Sequence, residues 1–369
     1  MTHAATFIDP ATGQTYPLDG SLWQAPNGNP LMISDLPGIT RAEIDTSNRS
    51  IWRYAKSLPL PINNPISLGE GCTPLISSEI DGLQFHFKLE WFSPTGSFKD
   101  RGASVLMSFL KQQDIREVIE DSSGNAGAAM AAYGAAAGMD VTILVPNYTQ
   151  PVKIVQSRAY GAEVILVPGT REDTASAAVK MADKTFYASH NWHPMFLQGT
   201  KSLGYELWEN LGFAVPDNIL IPASEGSNVL GCYIAFQELL RSGEIDRIPR
   251  LFVSQPENCA PLHHALQGTQ QKRFHPTVAE GTAVKSPTRL QSIVQAVQKT
   301  GGGSVAISEE EIINASKRLA RAGIFTEPSS AHAWAGARNL IESGHINRSD
   351  LTVVLLTGTG LKAQSVYSD

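Results

Sequence analysis

Short unbroken apolar runs alternate with longer mixed segments along most of the chain, from about residue 51 onwards. The apolar runs are rich in β-branched residues, as buried parallel strands are, and include "VTILVP", "EVILVP", "NILIPA", "LFVSQP" and "TVVLLTG". The mixed segments have helical composition, and many of them end at a glycine, as helices often do. This alternation predicts an α/β protein with mostly parallel sheets and helices on both faces.

Four turns after predicted strands are rich in small polar residues. They read "SPTGSFKDRG" (93–102), "DSSGNAG" (121–127), "PASEGSNVLG" (222–231) and "LLTGTG" (355–360). Ligands of parallel α/β folds bind at the carboxyl ends of the strands, and the first three turns place N–H groups, hydroxyls or amides at a helix start, where an anion is stabilised. Any one of them alone is better explained as a helix cap.

The first turn also places Lys99 at the predicted start of a helix. A ligand that carries phosphate and carboxylate groups, and that is attacked by an amine, would use this lysine and the anion-ready turns together. An aldehyde cofactor held on the lysine as a Schiff base is the natural candidate.

Composition and charge exclude several other classes. The 369 residues are 42% hydrophobic and 17% charged, with a net charge of −6, which argues against a nucleic-acid or anionic-membrane partner. The three cysteines are widely spaced and predict neither a metal site nor a disulfide framework. The first residues lack a signal-peptide pattern and no apolar run reaches membrane-spanning length, so we expect a cytoplasmic protein.

An ordered set of segments resembles the fold type II pyridoxal-phosphate enzymes, and within them threonine synthase and its relatives. The segments are "IWRYAKSLPLP" with "SLGEGCTPL", "KLEWFSPTGSFKDRGA", "SSGNAGAAMAAYGAAAGM", "HPMFLQGTKSLGYELWENLG", "AEGTAVKSPTRL", "GIFTEPSSAHAWAG" and "LLTGTGLK". The resemblance implies a tryptophan synthase β-subunit-like fold: two three-layer α/β domains with pyridoxal 5'-phosphate between them, in a homodimer. We expect a short N-terminal extension over 1–50, a large cofactor-binding domain over 51–100 and 191–369, and a small mobile domain over 101–190.

The resemblance also implies roles for individual residues. Lys99 would form the Schiff base, Asn125 would bond the 3'-oxygen of the cofactor, and Thr357 would face its ring nitrogen. The phosphate would lie on Gly226, Ser227 and Asn228, with Phe98 and Ser224 also at the cofactor. The substrate residues implied or expected are Thr95, Ser122, Ser123, Gly124, Ala126, Lys153, Asn191 and His193.

The implied reaction converts O-phosphohomoserine and water into threonine and phosphate, with Lys99 carrying protons between the substrate carbons. Serine or threonine dehydratases and β-replacement enzymes share the frame and remain alternatives. A non-catalytic amino-acid-binding protein is a further alternative, against which the set of Lys99, Asn125 and Thr357 argues.

Three departures from the family pattern matter. Glu225 stands beside the expected phosphate loop, where relatives are richer in glycine. His193 and Phe196 stand where threonine synthases carry an asparagine and an arginine, which weakens the case for a phosphate leaving group. Polar residues that could compensate are Lys153, Arg158, His190, Asn191 and His193 itself. The extension resembles a zinc ribbon without its cysteine pairs, so we expect no metal there.

Overall fold

The computed structural model describes residues 4–367. The first three residues of the expected N-terminal extension and the last two of the expected large domain therefore lie outside the described residues. The chain divides into two compact units. Unit 1 comprises Met1–Gly71, Ser93–Thr95 and Lys99–Ser202, and unit 2 comprises Cys72–Phe92, Gly96–Phe98 and Leu203–Asp369. The domain boundaries expected near residues 50, 100 and 190 stay predictions.

The elements are numbered in chain order. The strands are β1 (Phe7–Ile8), β2 (Thr15–Tyr16), β3 (Met32–Ile33), β4 (Leu75–Ile80), β5 (Leu83–Leu89), β6 (Glu117–Glu120), β7 (Asp140–Pro146), β8 (Glu163–Val167), β9 (Phe186–Tyr187), β10 (Asn218–Pro222), β11 (Arg250–Pro256), β12 (Gly303–Ile307) and β13 (Thr352–Leu356). The α-helices are α1 (Lys99–Gln112), α2 (Asn125–Ala137), α3 (Pro151–Ala159), α4 (Arg171–Met181), α5 (Pro194–Thr200), α6 (Ser202–Asn210), α7 (Ser227–Arg241), α8 (Pro261–Leu266), α9 (Leu290–Lys299), α10 (Glu309–Arg321) and α11 (Pro328–Glu342).

Unit 1 is built on a parallel sheet with the strand order β8-β7-β6-β9. The alanine-rich helix α2 is apolar around most of its circumference and is accordingly buried. It lies close to the sheet, because a Cβ on Gly134 would stand only 2.1 Å from a methyl carbon of Val141 on β7. The helix ends at Gly138, whose left-handed conformation (φ 65°) suits a glycine C-cap.

The N-terminal segment of unit 1 forms a small antiparallel sheet in the order β2-β1-β3. The carboxylate of Asp9 ties its turns together by accepting hydrogen bonds from Asn27 (2.8 Å) and Asn29 (3.0 Å). Trp23 packs edge-on against Tyr187 and Trp192, with ring centroids 5.0 and 5.6 Å apart. Hydrogen bonds and aromatic contacts thus hold this segment, and among residues 4–367 no cluster of three or more potential metal ligands is present.

Unit 2 contains a larger sheet with the order β12-β11-β10-β13-β5-β4, parallel except for the pairing of β4 with β5. Leu220 on β10 and Phe252 on β11 belong to a core that also contains Trp334 of α11. Their neighbours Ile219 and Leu251 point to the opposite face of the sheet and are also buried. Burial on both faces is what the continuous apolar runs predicted, and the α/β class is confirmed.

Candidate active site

Lys99 is the first residue of α1, and a compact turn leads into it. The carboxylate of Asp100 accepts the backbone N–H of Thr95 at 2.7 Å and also bonds its hydroxyl. From α3, Gln156 donates to the carbonyl of Thr95 at 3.2 Å. The Lys99 side chain is 8% exposed. The sequence therefore folds into a turn that places one lysine amine in a largely dry setting.

The nearest ring to this amine is that of Phe196 on α5, with Nζ 5.6 Å from the ring centroid, within the range of a cation–π contact. Phe196 is fully buried. A Cβ on Gly102 would stand 2.4 Å from the ring, so the glycine makes room for it. An apolar ring is thus built in where the resemblance expects a guanidinium.

Unit 1 also contains a buried pair of an acid and a histidine, of which only His190 was named from the sequence, as a polar residue that could compensate for the missing arginine. Glu120, the last residue of β6, accepts the backbone N–H of His190 at 3.0 Å and stands 2.9 Å from its Nδ1. Burial raises the pKa of Glu120 to about 7, although the nearby charge of Lys99 opposes the shift. Burial also holds the pKa of His190 well below its ordinary value, so its ring is neutral. A glutamate at a strand end gives no sequence signal of such burial.

The loop from Ser122 to Ala126 leads from β6 into α2. Ser122 accepts the N–H of Gly124 at 3.3 Å, and Gly124 stands at the N-cap of the helix that Asn125 begins. A Cβ on Gly127 would lie 2.0 Å from the carbonyl oxygen of Ser122, so only glycine allows this close return of the backbone. The loop therefore presents the start of a helix, which favours a carboxylate.

The other three expected substrate residues differ in their surroundings. Lys153 is half-buried in the first turn of α3, and Asn191 is 8% exposed just before α5. His193 is fully buried, accepts the N–H of Met195 at 3.2 Å as the N-cap of α5, and contacts three aromatic rings. The rings belong to Phe7, Phe109 and Phe186. A capping role in an apolar core accounts for His193.

In unit 2, the turn between β10 and α7 has the form of an anion site. Gly226, the N-cap of α7, is left-handed (φ 70°) and has no room for a side chain, because its Cβ would lie 2.4 Å from Ile293. Asn228 is 3% exposed, and among the described residues neither its Nδ2 nor its Oδ1 has a hydrogen-bond partner. Buried polar atoms are normally paired, so an unpaired amide at a helix start fits a phosphate group.

The end of β13 carries a second polar arrangement in unit 2. Ser330 accepts the N–H groups of Thr357 (2.9 Å) and Gly358 (3.1 Å), and its oxygen lies 2.8 Å from the Thr357 hydroxyl. Since both acceptor positions of Ser330 are used, its own proton goes to Thr357. The Thr357 hydroxyl is therefore left to donate elsewhere. The backbone carbonyl of Thr357 accepts the N–H of Phe98, the residue that precedes Lys99 in the chain.

A cavity of about 550 Å³ in unit 2 lies at the opposite, amino-terminal end of the strands. It is lined by the starts of β11 and β12, including Arg250 and Ser304, and by residues around the end of α11, including Ser343. None of the site residues expected from the sequence lines it. Within residues 4–367, no helix has the length and apolar character needed to cross a membrane.

In unit 1 a buried lysine begins α1, and in unit 2 a left-handed glycine precedes α7 at a turn that fits a phosphate group. Parallel α/β sheets with such strand-to-helix turns define the class of α/β proteins that bind phosphorylated ligands. A family model described as "Pyridoxal-phosphate dependent enzyme" matches residues 66–358, and the chain belongs to that family. The predicted fold class, cofactor and enzyme class are thereby confirmed.

Curated relatives are more specific. The chain is 32% identical to a threonine synthase of Methanocaldococcus jannaschii, over 95% of this chain and 91% of that protein. It is 34% identical to a threonine synthase of Mycobacterium bovis, over 85% of this chain and 88% of that protein. The predicted resemblance to threonine synthase and its relatives is confirmed.

Solved structures agree on the fold. An O-ureido-L-serine synthase is 22% identical, with a TM-score of 0.69 over 83% of this chain and 94% of that one. The processed threonine deaminase isoform 2 of Solanum lycopersicum is 24% identical, with a TM-score of 0.67 over 80% of this chain and 86% of that one. At these identities the two structures show the shared fold alone.

Proposed function

We propose that this protein is a pyridoxal-phosphate-dependent carbon–oxygen lyase of the threonine synthase type, which converts O-phosphohomoserine and water into threonine and phosphate. The observation that carries the proposal is the similarity of nearly the whole chain to threonine synthases, at 32% identity over 95% of its residues. The buried amine of Lys99 at the start of α1 is consistent with it.

In this proposal Lys99 holds the cofactor covalently as a Schiff base. The phosphate is bound by Gly226, Ser227 and Asn228, with Ser224 in the same loop. The remaining cofactor residues are Phe98, Asn125 and Thr357. When bound, the cofactor withdraws electrons through the amino nitrogen of the substrate, which makes the proton on the substrate Cα removable and, after its loss, a proton on the next carbon.

The protein's own groups bind the substrate and move the protons. The substrate carboxylate lies on the loop of Ser122, Ser123, Gly124 and Ala126, at the start of α2, with Thr95 nearby in the lysine turn. The Lys99 amine takes the proton from the substrate Cα and returns protons later in the cycle. Its burial on Phe196 excludes water from the amine. Lys153 and Asn191 are the polar candidates for the leaving group.

The apolar surroundings of Lys99 favour a second candidate. Because Phe196 supplies no charge, a substrate whose leaving group is hydroxide or another group smaller than phosphate would suit this side of the site. A serine or threonine dehydratase, or a β-replacement enzyme, would have such a substrate. The cytoplasmic location predicted from the sequence and the homodimer implied by the resemblance are retained as proposals.

A substrate panel tests the proposal. The cofactor-loaded protein is given O-phosphohomoserine, serine, threonine and O-activated serines, and inorganic phosphate, threonine and 2-oxoacids are measured. Release of phosphate with threonine supports the threonine synthase reaction, whereas a 2-oxoacid from serine or threonine supports the dehydratase. Lys99→Ala is expected to lose the visible cofactor band and turnover together, while Lys111→Ala, at the other end of the same helix, retains both. A Lys99→Ala variant that keeps the band and the activity would contradict the proposal.

A further inference from the structure

Glu225 places a carboxylate one residue before the turn that is proposed to hold the cofactor phosphate. A phosphate dianion bound at this turn and an uncompensated carboxylate beside it would repel each other strongly, especially where water is largely excluded. The position of Glu225 therefore needs a physical explanation if the turn is to bind phosphate at all.

The structure directs Glu225 toward the start of α9. Its Oε2 accepts the backbone N–H of Thr288 at 2.8 Å. Thr288 precedes Arg289, the N-cap of α9, so the carboxylate meets the positive end of that helix. One part of its charge is thus balanced by the backbone N–H of Thr288.

Arg289 provides a full charge of the opposite sign. Its side chain is 5% exposed, and burial lowers its pKa to about 10, while the charge of Glu225 acts in the opposite direction. The guanidinium consequently stays protonated at neutral pH. A buried cation is rarely tolerated without a partner, and Glu225 is an acidic group whose charge reaches it.

The same face of α9 touches the phosphate turn. Ile293 lies four residues after Arg289, and its N–H donates to the Arg289 carbonyl at 3.0 Å, so the two residues belong to the same first turn of α9. A Cβ on Gly226 would stand 2.4 Å from Ile293, which places the glycine of the turn directly against that face. Glu225, Gly226, Arg289 and Ile293 therefore form one contiguous cluster within unit 2.

We propose that Glu225 and Arg289 form a charge-compensating pair behind the phosphate turn. Glu225 fixes the turn to the start of α9, and Arg289 cancels the acid's charge so that the turn accepts a phosphate dianion. Both are positioning residues. The inference rests on the proposed function in one respect, the assignment of the phosphate to Gly226, Ser227 and Asn228.

A comparison of two aldehydes tests the pair. The full chain, stripped of cofactor, is titrated with pyridoxal 5'-phosphate and with pyridoxal, which has the same aldehyde and ring but no phosphate. The visible absorbance gives a Kd for each, and the ratio of the pyridoxal Kd to the pyridoxal-phosphate Kd measures the phosphate contribution. Arg289→Gln is expected to lower this ratio by about tenfold, because the negative charge of Glu225 behind the turn is then uncancelled and repels the phosphate.

The partner variants make the prediction specific. Glu225→Gln keeps an oxygen for the Thr288 N–H but removes the negative charge, so its ratio should rise. The double variant should return close to the wild-type ratio, and Arg289→Lys, which keeps the charge, should lose less than Arg289→Gln. Arg318→Gln, on α10 of unit 2, breaks a partly exposed ion pair with Asp81 in the turn between β4 and β5. It is the matched control and should leave the ratio unchanged.

The outcomes separate this inference from the proposed function. If Arg289→Gln weakens both aldehydes equally, or if both single variants shift the ratio in the same direction, the charge-compensating pair is wrong. If Arg289→Gln does not fold, Glu225→Gln decides, and an unchanged or lower ratio overturns the inference. Asn228→Ala should lower the ratio independently of the pair. A wild-type ratio in Asn228→Ala would instead reject the phosphate assignment, and a wild-type protein that binds neither aldehyde would reject the proposed function.

Discussion

Glu120 and His190 form a buried pair in unit 1, with a carboxylate oxygen 2.9 Å from the Nδ1 of the ring. The pair is surrounded by other charged and titratable groups, since the charges of Lys99, Asp121 and Arg171 all reach it. Burial dominates for both members, raising the pKa of the acid and lowering that of the histidine. Their contributions to stability therefore depend on pH in opposite directions.

The Glu120→Gln variant should change the pH dependence of stability with a defined sign. The pKa of about 7 in the folded protein lies above the ordinary glutamate value of 4.5, so between these pH values the folded protein holds a proton that the unfolded chain has released. The free energy of unfolding therefore falls as pH rises from about 4.5 to 7, by ~3 kcal/mol in total for this group. Relative to wild type, Glu120→Gln should gain stability over that range.

Urea unfolding of the cofactor-loaded protein at several pH values measures this effect. The hydrogen bonds that Glu120→Gln loses shift its free energy of unfolding by the same amount at every pH. The slope of that free energy against pH therefore reports the titration of Glu120. Glu117→Gln, at the exposed start of the same strand, is the matched control and should run parallel to wild type. A Glu120→Gln curve that also runs parallel would show that the carboxyl does not titrate in this range.

His332 in unit 2 should give the opposite slope. Its Nδ1 lies 2.9 Å from the hydroxyl of Ser254 and its Nε2 lies 3.1 Å from that of Thr282, so the neutral ring has a partner at each nitrogen. Burial lowers its pKa to about 3 from the ordinary histidine value of 6.5. The stability it supports is fully present above pH 6.5 and is lost as pH falls toward 3, at up to ~1.4 kcal/mol per pH unit.

His332→Gln should therefore flatten the acid limb of the stability curve between pH 6.5 and 4. The same urea series measures it, with His345→Gln at an exposed position as the control. Equal acid limbs in wild type and His332→Gln would show that this histidine takes up its proton in the folded state as readily as in the unfolded chain.

The hydroxyl of Ser330 should matter for both stability and cofactor binding. Ser330→Ala leaves the buried N–H groups of Thr357 and Gly358 without their acceptor, which should cost about 3 kcal/mol of unfolding free energy. It also frees the Thr357 hydroxyl, which is proposed to face the cofactor ring. Binding of pyridoxal and of pyridoxal 5'-phosphate should therefore weaken by the same factor, unlike in the phosphate-turn variants.

Ser329→Ala is the graded comparison for Ser330→Ala, because its hydroxyl accepts the single N–H of Gly281 at 2.9 Å. Its cost in unfolding free energy should be smaller. A loss in Ser330→Ala no larger than in Ser329→Ala, or a weakening confined to the phosphorylated aldehyde, would contradict the role given to Ser330.

The sheets were predictable because their strands are buried on both faces, which leaves continuous apolar runs in the sequence. The composition of the first 50 residues indicates turns and short strands, but the positions of β1, β2 and β3 were not predictable, since two residues carry no periodicity. Hydrogen bonds that Asp9 accepts from a distant turn hold that segment. In the site, Lys99 was found because a turn of small residues surrounds it. Glu120 was missed because a glutamate at a strand end usually reaches solvent.

Contacts between residues that are far apart in the sequence explain why the surroundings of Glu225 and His193 could not be predicted. Glu225 and Thr288 are 63 residues apart, so no local pattern could reveal where that acid points. The ring of His193 was expected at the substrate, but whether a histidine caps a helix in an apolar core depends on rings from three distant elements. Residue type and spacing predict chemistry that is local along the chain. Which other side chains reach the site depends on how the folded chain buries them.

A second buried lysine, Lys88 on β5, provides the sharpest contrast with Lys99. Its amine donates to Glu206 (2.6 Å), to the carbonyl of Thr73 (2.6 Å) and to Asn210 (2.8 Å), so all three N–H bonds of the fully buried group are used within unit 2. In the sequence, Lys88 lies between two apolar residues of a predicted strand, whereas Lys99 follows a turn of small residues. That difference singled out Lys99, but it did not show that Lys88 is buried as well. Satisfied donors make Lys88 a structural residue that is not available as a nucleophile.

Lys88→Met should therefore lower the free energy of unfolding but keep the visible cofactor band. Lys99→Ala, by contrast, is expected to lose the band. The change leaves the buried carboxylate of Glu206 without its cation and should cost about 3–5 kcal/mol of unfolding free energy. Glu206→Leu should be similarly costly, because it leaves the ammonium unpaired. The double variant should cost clearly less than the sum, since both charges are then gone. Additive losses in a double-mutant cycle, or loss of the visible band in a folded Lys88→Met protein, would show that Lys88 does more than hold Glu206.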